Sequence, residues 1–299
     1  MRVLGIGEIL WDLLPDGPRL GGAPFNVTAH LKRFGHDVRF ATGVGDDELG
    51  ARTIEAIRAL GIGLDLVQAI PKARTGTAGV ELDGLGVPRF DIAKGVAHER
   101  FDLDDADLDE TVRWGPDALV FGTLAQRSAS VQGATRRLVE ALPASIRLYD
   151  VNLRAGGWEP DLPGELAAMA TVVKLNGDEV DVMAGLGWGP AASRESFARA
   201  LAVRFGLGAV CITVGSDGAG LLLGDRYLEA PTPSVEVVDT IGSGDAFAAA
   251  LLDGLLHGRD AESLLVRANA LGALVASRPG AIPEWSAADL AVLAAPGAR

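Results

Sequence analysis

The chain has 299 residues, 48% apolar and 22% charged, with 39 glycines; this is the composition of a folded globular protein, and it excludes collagen-like and disordered chains. A chain of this length buries enough surface to hold a core without staples. Acidic residues outnumber basic ones by 40 to 27, and the resulting net charge of −13 argues against nucleic acid or an anionic membrane surface as partner.

The elements alternate between short apolar strands and amphipathic helices. Residues 3–9 predict a first strand running into Gly-rich sequence, and residues 10–20 read as further extended chain, with turn chemistry at Pro15, Asp16, Gly17 and Pro18. Residues 26–34 predict a helix, since Val27, His30, Leu31 and Phe34 share one face and Gly35 stops it. A strand over 38–42 and a helix over 49–60 follow. Residues 75–92 break the rhythm: two alternating runs flank a Gly-rich turn from Asp83 to Gly86, the signal of a hairpin. The strand–helix rhythm returns with strands over 118–121, 147–151, 172–175 and 209–214 and helices over 130–142 and 193–205. Residues 160–164 read as a turn within the body.

This order predicts a mostly parallel α/β sheet covered by helices on both faces. The chain is read as one domain, 1–299, with a small β appendage from two discontinuous segments, about 10–22 and 75–93. The acidic stretch 101–110 lacks the Gly and distal Glu of a calcium loop and reads as a solvated face.

The single cysteine, Cys211, excludes an internal disulfide and a thiolate metal cluster. The four histidines show no HExxH spacing, and no apolar run reaches the ~18 residues of a membrane span. Glu8 and Asp12 interrupt the apolar start, so it does not read as a secretory signal and a cytoplasmic protein is predicted. No GxxxxGK[ST] loop and no GxSxG elbow are present. A dehydrogenase is suggested only by the α/β rhythm and Gly5-Ile6-Gly7, which lacks the third glycine of a dinucleotide fingerprint.

The most informative segment is 239–245, DTIGSGD, followed by a buried helix with Phe247, Leu251 and Leu255 at i, i+4 and i+8, ended by Gly258. Gly242 and Gly244 flank Ser243 at the helix N-terminus, where free N–H groups and the dipole favour an anion. Asp245, in the first turn, suits the removal of a proton from a hydroxyl attacking phosphorus. An acid merely favoured by the dipole explains the same residue equally well.

The segment resembles the C-terminal signature DTxGAGD of the ribokinase-like PfkB family of carbohydrate kinases, with Ser243 in place of Ala. Gly21-Gly22-Ala23-Pro24-Phe25-Asn26 resembles the family's N-terminal glycine pair plus Asn. The resemblance covers essentially the whole chain. It implies a ribokinase-like sheet between helices, with a β-stranded lid over a sugar. Asp245 corresponds to the family's catalytic base, and the N–H groups of Gly242, Ser243 and Gly244 to its anion hole.

On the nucleotide side, Asn176 and Glu179 match the NxxE motif that organises magnesium, largely through water, and ATP phosphates. A helix N-terminal acid is the plainer reading of Glu179. Thr213, Gly215 and Gly218 match the TxGxxG loop, and Asn269 a late helix bordering the nucleotide. Asp239 matches an Asp that helps hold a monovalent cation in members activated by potassium, leaving open whether K+ acts here. On the sugar side, Asp12, Gly22 and Asn26 match substrate-binding positions, and Arg154 lies in a DxNxR-like segment (an ion pair at the strand end explains it nearly as well).

The segments 7–15, 21–33 and 121–127 look most like bacterial fructokinases. The implied reaction is transfer from MgATP to D-fructose, giving fructose 6-phosphate and ADP. The alternatives are 2-keto-3-deoxygluconate kinase, ribokinase, or a catalytically silent sugar-binding protein on the same scaffold. A homodimer paired through the lid is also expected, because a small β appendage leaves an exposed edge.

Overall fold

A computed structural model describes residues 1–14, 17–82, 88–154, 156–190 and 192–295, without side chains at 80–82 and 88–91. The turn expected from Asp83 to Gly86, and Pro15 and Asp16, lie outside the described residues. In chain order the elements are β1 (Arg2–Ile6), β2 (Leu10–Leu14), β3 (Gly17–Gly21), α1 (Ala23–Arg33), β4 (Asp37–Gly45), α2 (Glu48–Ala59), β5 (Val67–Ile70), β6 (Gly76–Leu82) and β7 (Pro88–Ile92). They continue with α3 (Asp105–Trp114), β8 (Ala118–Gly122), α4 (Ala129–Ala141), β9 (Ile146–Asp150), α5 (Leu162–Met169), β10 (Val172–Asn176), α6 (Gly177–Gly185) and α7 (Arg194–Phe205). The last are β11 (Ala209–Thr213), β12 (Ala219–Leu223), β13 (Arg226–Ala230), α8 (Ser243–Leu256), α9 (Ala261–Ala276) and α10 (Ala287–Leu293).

The central sheet has the order β13-β12-β11-β10-β9-β8-β1-β4-β5. Every pair from β11 to β5 is parallel, and β12 and β13 close the other edge antiparallel. Its inner strands are apolar on both faces because both faces are covered. Successive residues serve opposite layers: Val172, Leu148 and Cys211 pack with α1, α2, α8, α9 and α10, whereas Val173, Tyr149 and Val210 pack with α3 to α7. The C-terminal ends of the parallel strands share one edge, where α/β sheets place their ligands.

A second, four-stranded sheet has the order β3-β2-β6-β7. Its outer pairs are antiparallel and its central pair, β2 with β6, is parallel. It is built from the chain that leaves β1 and the chain that leaves β5, so it stands beside the C-terminal edge of the main sheet.

Helix starts divide by purpose. Asp47 caps α2, Asp260 caps α9, and Asn176 with Glu179 forms a capping box on α6. By contrast α1 and α8 begin at Gly22 and Gly242, with no side-chain cap. The turn expected over 160–164 covers only Pro160 and Asp161; α5 begins at Leu162, with Pro163 in its first turn, where a missing N–H is tolerated. The acidic stretch forms most of α3, capped by Asp104. No described helix is long and apolar enough to cross a membrane.

Candidate active site

Asp245 stands in the first turn of α8, facing the N-terminal end of α1. Asn26 Nδ2 donates to Asp245 Oδ2 at 2.8 Å, while the buried Asn26 Oδ1 has no partner among the described residues. Burial and the nearby Asp150 carboxylate raise the Asp245 carboxyl to about 6, against the pull of the Asn26 hydrogen bond, Lys174 and Arg154. At neutral pH it is therefore mostly ionised, with a proton affinity well above that of a free aspartate.

The turn before Asp245 depends on its glycine. Gly242 has φ +77°, and a Cβ there would lie 2.5 Å from the Ala281 Cα. The left-handed turn leaves the N–H groups of Gly242 and Gly244 without hydrogen-bond partners among the described residues, whereas Ser243 N–H bonds the Thr240 carbonyl at 3.2 Å. Two of the three N–H groups expected to form an anion hole are thus open.

Asp239, just upstream, is engaged by the backbone. Its Oδ1 accepts from Ile241 N–H at 2.9 Å and its Oδ2 from Gly280 N–H at 3.0 Å, with Arg19 of β3 3.8 Å away.

To one side lies a cleft of about 490 Å³ whose lining includes Thr213, Gly215, Gly218, Ser243, Gly244 and Asn269. Four positions expected on the nucleotide side therefore share one cavity with the N-terminus of α8. Asn269 also anchors its wall, donating from Nδ2 to the Ala230 carbonyl at 2.9 Å.

Asn176 and Glu179 do not line this cleft among the residues that bound it. Glu179 accepts from Asn176 N–H at 2.8 Å and from Leu153 N–H at 2.7 Å, so it is the helix-capping acid of the plainer reading. Burial raises its carboxyl, with Asp150 adding to the rise, against Lys174 and these two N–H bonds.

On the other side, Asp12 stands on β2 of the second sheet. Burial lifts its carboxyl to about 6, Asp239 adds to the rise, and Arg154 opposes it. The exposed Arg154 thus acts electrostatically on both Asp12 and Asp245. Gly22 has φ +120°, and a side chain there would collide with the Glu8 carbonyl. Its lack of a side chain lets α1 start against the end of β1.

Three charged residues were not singled out as site residues by sequence reasoning. Glu8 is 3% exposed, accepts from Ala125 N–H at 3.3 Å, and is pushed up to about 7 by burial. Asp150 and Lys174 form a buried ion pair on adjacent strands, Nζ to Oδ1 3.0 Å. The available signal was a charge inside an otherwise apolar parallel strand: VVKLN over β10 and the Asp that ends β9.

The fold and the clustered site define a carbohydrate kinase scaffold. A family model for pfkB family carbohydrate kinases matches residues 18–288. The aminoimidazole riboside kinase of Salmonella typhimurium is 29% identical, over 94% of this chain and 91% of that protein. The fructokinase of Rhizobium leguminosarum bv. trifolii is 29% identical over 88% and 83%. The crystal structure of a fructokinase from Vibrio cholerae O395, in a fructose-, ADP- and calcium-bound form, matches with a TM-score of 0.81 at 25% identity, covering 98% and 99%. The chain belongs to the pfkB family of carbohydrate kinases, and its architecture is the ribokinase-like one.

Proposed function

We propose that this protein transfers the γ-phosphoryl group of MgATP to a hydroxyl of D-fructose, giving fructose 6-phosphate and ADP. The observation that carries the reading is Asp245: a carboxylate of raised proton affinity, held by Asn26 at the open N-terminus of α8, between the cleft and the Asp12–Arg154 face. The fructokinase and sugar-kinase relatives support the substrate class.

ATP fits the cleft. Its wall of α9, Pro233, Val235 and Val237 suits a base, and its floor of Gly244 and Ser243 suits the phosphates. Magnesium fits Glu179 only through water, since two backbone N–H groups already bond that carboxylate. Bound there with ATP, it would neutralise phosphate charge.

The chain's own residues do the rest. Asp12 accepts hydrogen bonds from sugar hydroxyls, and the unpartnered Asn26 Oδ1 is a further acceptor. Arg154 closes the same face. Asp245 takes the proton of the attacking hydroxyl, and the Gly242 and Gly244 N–H groups receive the charge on the phosphoryl oxygens. The second sheet acts as the lid, excluding water that would otherwise compete as acceptor. Its edge strands β3 and β7 offer a pairing surface, and the reading includes a homodimer through them, tested by light scattering.

The test is coupled ADP release with MgATP against fructose, ribose, mannose, glucose, 2-keto-3-deoxygluconate and aminoimidazole riboside, with Asp245→Asn alongside. Fructose-dependent release lost in the variant is the expected result. Release with another acceptor replaces the substrate and keeps the mechanism. Sugar binding by calorimetry with no ADP release would replace the enzyme by a silent binding protein.

A further inference from the structure

Lys174 interrupts the apolar strand β10. Its neighbours Val173 and Leu175 pack on the α3–α7 side, so the two-residue period turns Lys174 to the opposite face, toward α8. Asp150 turns the same way between Tyr149 and Val151, and the two are register partners on adjacent strands. They are 5% and 2% exposed, and Lys174 Nζ donates to both Asp150 oxygens, at 3.0 and 3.2 Å. The ammonium lies against the first turn of α8: a Cβ built on Gly244 would be 3.3 Å from Nζ.

Stability alone does not favour this placement. A helix N-terminus is positive and repels a cation. A buried ion pair gains little over apolar residues of the same volume. Lys174 nevertheless puts a positive charge under the positive end of α8, beside the open N–H groups of Gly242 and Gly244. An ammonium has three donors, and the two recorded bonds both go to Asp150; no other acceptor is found among the described residues. The Asp150, Glu179 and Asp245 carboxylates act on Lys174 from within the chain, and on the Gly244 side its charge and the open N–H groups of α8 form two sources of positive potential that an incoming phosphoryl anion would meet.

We propose that Lys174 is the fixed cation of the phosphoryl-transfer site, held by Asp150 beneath Gly244 to stabilise the charge that builds on the moving phosphoryl group. The proposal rests on the kinase reading above. In the transfer, the acceptor oxygen bonds to the γ-phosphorus as the bond to the β–γ bridging oxygen breaks. The bridging oxygen keeps that electron pair and leaves with ADP, and the hydroxyl proton passes to Asp245. Lys174 keeps its protons throughout and acts by charge alone.

The test compares the wild type with Lys174→Met, Asp150→Asn and the double variant Asp150→Asn/Lys174→Met, each checked by thermal unfolding. Lys174→Met leaves Asp150 buried without its partner and is expected to lose stability. The double variant removes both charges and keeps the site testable in a folded protein. Both variants lacking the ammonium are expected to lose about 10²–10³-fold in kcat, the effect of removing one preorganised charge-stabilising group. The sugar KM is expected to stay within about threefold, and Asp150→Asn, which keeps the ammonium, to lose less than Lys174→Met. Both ammonium-free variants are also expected to lose the preference of the wild type for β,γ-imido-ATP over ADP, a readout that needs no sugar. A folded double variant with kcat within threefold of wild type, or with that preference unchanged, overturns the proposal. The wild type separates the two levels: no sugar-dependent ADP release from it removes the kinase reading itself, whereas an active wild type with an equally active double variant removes only the role of Lys174.

Discussion

Replacing Asp245 by Asn is expected to slow turnover by orders of magnitude and to stabilise the fold. The carboxyl rises from an ordinary 3.8 to about 6 because it leaves water and sits near Asp150. Holding it ionised at neutral pH therefore costs the folded state about 3 kcal/mol relative to the unfolded chain. Asparagine keeps the shape and a hydrogen bond with Asn26 but carries no charge, so it escapes this cost. At ~2 °C per kcal/mol for a chain of this length, the variant should melt about 6 °C higher at pH 8. The pH dependence follows from the raised value. Above about 6 the group is ionised in both states and the penalty is complete. Between about 6 and 4 the folded state takes up its proton first, and the penalty fades. Below about 4 both states are protonated and the two proteins converge. Calorimetric melting from pH 4 to pH 8 measures this, and coupled ADP release should show a loss of ~10²–10⁴-fold in kcat over the same series. A variant no more stable than wild type at pH 8, or one whose advantage does not change with pH, would refute the account of Asp245 as a charge held against its environment.

Asn26→Leu removes the hydrogen bond that lowers the Asp245 proton affinity. The acid limb of the kcat/KM profile, expected at about pH 6 in the wild type, should move to higher pH. Gly242→Ala forces a Cβ against the Ala281 backbone at a left-handed φ; we expect a loss of at least ~2 kcal/mol in unfolding free energy, read by denaturant titration, and a fall in kcat as the anion hole shifts. Because Asp239 is already bonded by two backbone N–H groups with Arg19 nearby, replacing KCl by NaCl at equal ionic strength should change the rate less than twofold.

Much of this protein was legible locally. The βα rhythm, Gly242 as a helix start and Glu179 as a helix N-terminal acid each depend on chemistry within a few residues, which is where sequence patterns are informative. The antiparallel edge of β12 and β13 and the start of α5 around Pro163 were harder, since a short apolar run and a proline each allow more than one local structure.

The charge constellation is of another kind. Asn26 and Asp245 lie 219 positions apart, and they meet because α1 and α8 pack on the same face of one sheet. Lys174 and Asp150 become a pair only once β9 and β10 are aligned in parallel register. The sequence by itself determined the alternating sheet and which segments carry glycine turns and acids, because these follow from side-chain period and backbone sterics. Only the tertiary structure decided which charges share buried space, because proton affinities and ion pairing depend on distance and on the water that packing excludes.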